Sequence, residues 1–388
     1  MIIHRTKKGE SLRDIAAEYD ISEERILENN TAVKPLPTFG RELLILRPTR
    51  TYVSTAGDTE LSICKRFGIK PWMLTANNPS LAERGLLPSR EIAVKYPTPP
   101  FGAAATNAYF FGGTKLRELK RVLPYVTYLT IGAYKLEGGR LVRLFDPSAA
   151  TRAGRDADKV VLMRVYDGSD GDIYSDKEKS KALAAELIAA ALAGEFCGIT
   201  LSFCKSARKY AAETANFLMD LRRGLIGCNL VLFIETDEGL PTELCELADG
   251  CVFMYGKSSL KRPPSFNEGE RAVLTDFAEN TESSKAMLYL PSEAYASGDY
   301  LPLAKALEMS SFAEEISTDD GTLLSSFVNN HTPVVFESLG NTKAKLELIA
   351  ELGFTGVAFD VRQVLKEQLM MFSALFAPIH YRIPFSCG

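Results

Sequence analysis

The sequence predicts an α/β protein: a closed barrel of eight β-α units behind two small β-α-α-β modules. Three observations predict it. The first 97 residues carry one pattern twice. A stiff stretch, Tyr96-Pro97-Thr98-Pro99-Pro100, then ends that pattern, because proline fixes φ and disfavours helix before it. Beyond it, short apolar runs alternate with amphipathic helical segments to the end of the chain.

The repeat comes first. Shifting residues 3–30 by 48 places lays Gly9 on Gly57, Glu10 on Asp58, Ser11 on Thr59, Ile15 on Ile63, Tyr19 on Phe67, and Asn29-Asn30 on Asn77-Asn78. Each copy reads as a short strand and then a Gly-acid-hydroxyl turn. A helix follows, opened in the first copy by Ser11 and Asp14 as a capping box. Leu12, Ile15, Ala16 and Tyr19 share one face of that helix. A second short helix and a proline-containing loop lead to the closing runs Glu42–Leu46 and Glu91–Val94, the second offset by one residue.

The turn, the helix and the Asn pair resemble the LysM module, over residues 1–48 and again over 49–97. The resemblance implies binding of N-acetylglucosamine-containing glycans, peptidoglycan or chitin, in a shallow groove between the first turn and the loop before the last strand. Carried over by position, the groove involves Gly9, Glu10, Ser11 and Leu12 with Leu36 and Pro37 in the first copy. In the second it involves Gly57, Asp58 and Thr59 with Leu87 and Pro88. Glu60 stands where the family prefers an apolar residue. The competing reading makes both copies folded spacers.

Residues 98–388 form the third unit. Its β-runs are Asn107–Phe111, Tyr128–Tyr134, Val160–Tyr166, Gly198–Cys204, Leu230–Glu235, Cys251–Tyr255, Ala286–Leu290 and Val357–Val361, with helical stretches between them. Eight such runs fit a (β/α)8 TIM-type barrel. The interval 291–338 is too long for one helix and is expected to hold a small α+β insertion before the last strand. A doubly wound open sheet is the alternative, but no Gly-rich phosphate loop follows any run, and no cofactor is implied.

Composition narrows the partners. With 45 Lys+Arg against 49 Asp+Glu, the chain has no basic excess to suggest nucleic acid. No apolar run reaches the roughly 18–20 residues of a membrane span. The start, Met1–Glu10, shows no secretory signal, so synthesis in the cytoplasm is expected. Seven cysteines without CxxC spacing argue against a disulfide framework or a zinc site.

Strand four carries the most specific pattern. The run Gly194-Glu-Phe-Cys-Gly-Ile-Thr-Leu-Ser-Phe-Cys204 resembles the fourth strand of glycoside hydrolase family 18. The branch in question couples LysM modules to a barrel and includes spore cortex N-acetylglucosaminidases. Met254-Tyr255, Tyr289 and Ala105–Tyr109 agree with it. The resemblance implies aspartate, aspartate or asparagine, aspartate and glutamate at the positions held here by Cys197, Thr200, Ser202 and Cys204. In the family the glutamate is the general acid, and the neighbouring aspartate orients the substrate's acetamido nucleophile. Period-2 alternation points Thr200, Ser202 and Cys204 into the barrel. Cysteine is a weak donor with an ordinary pKa near 8.5, and serine cannot carry the anion. General acid–base catalysis contributes roughly 10²–10⁴ in rate, so hydrolysis by the family mechanism is not expected.

The expected function is therefore a glycan-binding protein with an inactive barrel, associated with a spore or cell wall. Tyr109 and Tyr255 would line its cleft, and spore-coat or wall proteins are further partners. The alternative is an active N-acetylglucosaminidase or transglycosidase using displaced carboxylates, Glu235 first and Asp360 second. Such chemistry needs two carboxyls about 5–9.5 Å apart. Asp167, Asp170, Asp172, Asp237 and Glu293 read as solvated loop charges. Cys204 as nucleophile lacks a recognisable base, and Cys197 with Cys204 lacks the geometry of a metal pair. The Asp167–Asp172 loop lacks a calcium-binding register.

Overall fold

The computed structural model describes residues 1–168, 172–203, 209–237, 243–254 and 268–380. The first module pairs β1 (Ile2–Arg5) antiparallel with β2 (Glu42–Ile45) across helices α1 (Leu12–Tyr19) and α2 (Glu23–Asn29). Its core is Leu12, Ile15, Ala16, Ile26, Leu43 and Ile45. The second repeats the order with β3 (Arg50–Val53), α3 (Glu60–Phe67), α4 (Pro71–Asn77) and β4 (Glu91–Lys95).

The repeated asparagines have a physical explanation. Asn30, buried at the end of α2, donates to the Ile26 and Leu44 carbonyls and accepts from the Leu44 N–H. Asn78 does the same with Leu74 and Ala93. One amide thus ties the second helix to the closing strand in each module, satisfying backbone groups that would otherwise be buried unpaired. The one-residue offset read in the sequence reappears as Leu44 against Ala93.

Eight parallel strands follow: β5 (Ala103–Phe111), β6 (Tyr128–Glu137), β8 (Val160–Asp167), β9 (Gly198–Ser202), β10 (Val231–Thr236), β11 (Gly250–Phe253), β12 (Ala286–Tyr289) and β18 (Gly356–Asp360). β18 pairs with β5 and β5 with β6, which closes the barrel. Gly356 is required where β18 meets β5, because a Cβ there would lie 1.9 Å from the Ala105 carbonyl oxygen. The antiparallel strand β7 (Arg140–Arg143) folds back on β6. The sequence reading missed this hairpin, although Gly138-Gly139, both at positive φ, is a strong turn signal.

Between β12 and β18 lies the insertion, a five-stranded antiparallel sheet of order β14 (Asp299–Pro302), β13 (Glu293–Ala296), β17 (Thr332–Glu337), β16 (Leu324–Asn329), β15 (Ser317–Thr318). The helix Leu303–Ser310 covers it through Leu303, Ala306 and Leu307. A last short strand, β19 (Ala377–Pro378), adds to β5. Among the described residues, no helix is long and apolar enough to cross a membrane.

The modules are packed, not tethered. Arg25 of the first, 2% exposed, donates to the Glu91 side chain and carbonyl and to Asn78 Oδ1 of the second. The second module rests on the N-terminal rim of the barrel, where the Tyr125 hydroxyl donates to the Ala76 carbonyl at 2.7 Å and the Trp72 and His380 rings lie 3.8 Å apart. The first docks on the insertion. Thr38 Oγ1 donates to the Ser310 carbonyl, Arg41 donates to Ser310 Oγ, and Phe39 bridges Glu315.

Candidate functional site

Two regions hold the residues singled out by sequence: the mouth of the barrel and the turns of the modules. In the mouth, strand register sets the geometry. Tyr166, Ser202 and Glu235 are cross-strand neighbours on β8, β9 and β10. Arg164 sits two residues below Tyr166 and reaches up to them. Its Nε donates to Glu235 Oε1 at 2.5 Å, and its Nη2 donates to Glu235 Oε2 at 2.7 Å and to Ser202 Oγ at 2.8 Å. Arg164 and Glu235 are 8% and 4% exposed, so this is a buried, forked ion pair.

Asp360, at the end of β18, is held likewise. Its carboxylate accepts from the Arg362 backbone N–H, Nε and Nη2 at 2.8, 3.1 and 2.6 Å. The hydrogen bonds to Asp360 hold the Arg362 guanidinium above its ordinary pKa. Both guanidinium carbons lie 5.4 Å from the centroid of the Phe111 ring, within cation–π range. The two displaced-acid candidates are therefore each bound by an arginine.

Tyr109 is fully buried beneath the mouth and stacks on Phe111, 5.8 Å away, so it packs the barrel interior instead of lining an open cleft. Burial, with the Glu235 charge adding to it, pushes its hydroxyl well above the usual tyrosine range. Thr200 is also fully buried, its Oγ1 without a hydrogen-bond partner among the described residues. Cys197 immediately precedes β9. Cys204 and Tyr255 lie outside the described residues, as does Asp170. Asp167 is buried and accepts from the Tyr174 hydroxyl, and Glu293 accepts from that of Tyr295. No group of three or more His, Cys, Asp or Glu among the described residues is placed to hold a metal ion.

Sequence reasoning missed Arg164. The signal was there: in Val160-Val-Leu-Met-Arg-Val-Tyr166, alternation puts the arginine on the same face as Leu162 and Tyr166. A cation on the inward face of a barrel strand requires a buried anion, and Glu235 supplies it.

In the first module, Gly9 sits at φ 77° and is exposed. Glu10 accepts from the Lys7 N–H and meets His4 Nε2 at 2.9 Å, while His4 Nδ1 meets the Tyr19 hydroxyl. Ser11 caps α1 in a complete capping box with Asp14, whose carboxyl the Ser11 hydroxyl holds below its ordinary pKa. The Leu12 N–H donates to the Pro35 carbonyl at 2.9 Å, joining the two lips of the groove. The Leu12 side chain is 1% exposed and belongs to the module core, because the face of α1 that carries it also carries Ile15. Pro37 is buried too, and Leu36 is left as the exposed apolar residue of that lip, at 60%.

The second module has the same design. Gly57 is at φ 99°, and Thr59 caps α3. Asp58 accepts from the Thr55 N–H and hydroxyl and from the Tyr52 hydroxyl, which brings its pKa to about 2. Leu87 and Pro88 are exposed.

The class the fold defines is an eight-stranded parallel β/α barrel that carries two small β-α-α-β modules at its N-terminus. Comparison places the chain more closely. Residues 4–45 match the LysM domain family. The structure superposes on the spore cortex-lytic enzyme SleL of Bacillus megaterium with a TM-score of 0.76 at 18% identity, covering 98% of this chain and 99% of that one. SleL of Bacillus cereus gives 0.77 at 14% identity and the same coverage. A chitinase from Chromobacterium violaceum gives 0.60 at 18% identity, covering 71% of this chain and 99% of its own. The curated proteins give no match to the sequence.

Proposed function

We propose that this protein binds N-acetylglucosamine-containing wall glycans, peptidoglycan or chitin-like, through its N-terminal modules. In this reading the barrel is a scaffold without hydrolytic activity. The observation that carries it is the contrast between an intact Gly9-Glu10-Ser11 turn beside exposed Leu36 and a barrel mouth in which Arg164 engages both oxygens of Glu235. A general acid must deliver a proton to a glycosidic oxygen. Both oxygens of Glu235 are engaged by a buried guanidinium, and Ser202, where family 18 implies an aspartate, also takes a hydrogen bond from that guanidinium. The SleL enzymes are named for lysis of the spore cortex, which supports association with a spore or cell wall; wall or spore-coat proteins are further candidate partners.

The test uses the full-length chain and insoluble peptidoglycan. Wild type is expected in the pellet, and Leu36→Glu, a change at an exposed position, is expected to release most of it. Undiminished retention of Leu36→Glu would remove the first module from the binding surface. In parallel, chitooligosaccharides incubated with the protein are expected to show no new reducing ends. Release that vanishes in Glu235→Gln would establish the enzyme instead.

A further inference from the structure

We propose that Phe312 of the barrel insertion forms the outer end of the first module's glycan groove. A single binding surface then runs across the two domains and takes a longer N-acetylglucosamine oligosaccharide than the module alone would hold. The inference rests on the binding role proposed above and adds to it the residue that sets chain length.

The lip that carries Leu36 does not end in solvent. It is fastened to the segment 310–316 along its whole length. Lys34 Nζ donates to the Ser311 carbonyl at 2.9 Å, Thr38 Oγ1 donates to the Ser310 carbonyl at 2.8 Å, and the Ile316 N–H donates to the Phe39 carbonyl at 2.8 Å. Gly40, at φ 79°, approaches so closely that a Cβ would lie 1.9 Å from the Ile316 carbonyl oxygen. Two chain segments joined this way present one fixed surface.

Phe312 stands on that surface at 76% exposure, above Leu36 at 60% and the other large apolar side chains left in water among the described residues. A scattered exposed apolar residue needs no explanation. This ring differs because it is oriented. The Lys34 ammonium sits 3.4 Å from its centroid and covers one face, and the same ammonium anchors the backbone of Ser311 beside it. The other face is left open to a ligand. An aromatic face carries negative quadrupolar charge and attracts the weakly positive C–H groups on the flat side of a pyranose. Lys34 and Leu36 are two residues apart, at most about 7 Å along the chain. The Phe312 ring, held by Lys34, therefore stands at the Lys34 end of the lip that carries Leu36.

The experiment is calorimetric titration of the full-length protein with a short probe, the N-acetylglucosamine trimer, and a long one, the hexamer. Phe312→Ala should weaken hexamer binding about three- to tenfold, in the range of a lost aromatic contact, and leave the trimer unchanged. Phe312→Tyr should restore hexamer affinity, and Leu36→Glu should weaken both probes. If Phe312→Ala binds the hexamer as wild type does while Leu36→Glu loses both, the extended groove is refuted and the module's role stands. If wild type binds neither probe, the glycan reading fails and this inference with it.

Discussion

The barrel mouth and the turn of the first module both concentrate charged side chains, and they use them in opposite ways. In the mouth, charges neutralise one another: Arg164 with Glu235, Arg362 with Asp360. In the turn, carboxylates serve the backbone, with Glu10 on the Lys7 N–H and Asp14 on the Ser11 N–H. The first arrangement satisfies buried carboxylates, each bound by an arginine. The second fixes a loop so that glycine backbone and an apolar side chain stay exposed. The difference teaches that acidic residues near strand ends are uninformative about chemistry until their partners are known.

The largest test of this contrast is Arg164→Met. It strands Glu235 without its counterion, and removing one member of a buried pair costs about 3–5 kcal/mol. Chemical denaturation should show that loss, and Arg164→Met with Glu235→Leu should recover most of it. A single variant as stable as wild type would mean that the pair is solvated and the mouth open.

Gly40→Ala comes next. A β-carbon at a positive φ, pressed against the Ile316 carbonyl, should cost about 1–3 kcal/mol. Hydrogen exchange should localise the loosening to 34–40 and 310–316. Exchange that rises evenly over the chain would contradict the local fastening. Ser11→Ala removes the α1 cap and should cost about 1 kcal/mol, while Ser202→Ala, which deletes one of three contacts to a paired guanidinium, should cost no more than that.

A pH test addresses the contact between the second module and the barrel. Burial against the barrel, with Lys159 close by, drops His380 from 6.5 to about 3. The folded state therefore holds this imidazole neutral while the unfolded chain protonates it below 6.5. Its contribution to stability is complete above pH 6.5 and is lost as pH falls from 6.5 toward 3. Trp72, the sole tryptophan, lies tilted against that ring and reports the contact by its fluorescence. His380→Leu should flatten the response between pH 6.5 and 4.

Much of the fold was legible because its determinants are local. The 48-residue repeat, the Ser11 cap and the Asn30 and Asn78 bridges all act within a single module. The barrel strands were legible as apolar runs, and β8 and β12 agree with them to within a residue. The partnership of Arg164 with Glu235 joins residues 71 apart, on strands that both pair with β9, and only that lateral pairing of three separate β-α units brings them together. The fastening of the first module to the insertion joins positions still farther apart, such as Thr38 and Ser310. Nothing in either segment announces the other.

The Arg25 seam has a consequence for avidity. Two sites on a flexible linker search independently, and the second gains an effective concentration set by linker length. Here a guanidinium locked between Glu91 and Asn78 removes that freedom, so the spacing of the two modules' turns is a constant of the fold. On the binding role proposed above, a polymer that engages both modules must repeat at that pitch, and the tandem then works as a ruler for it.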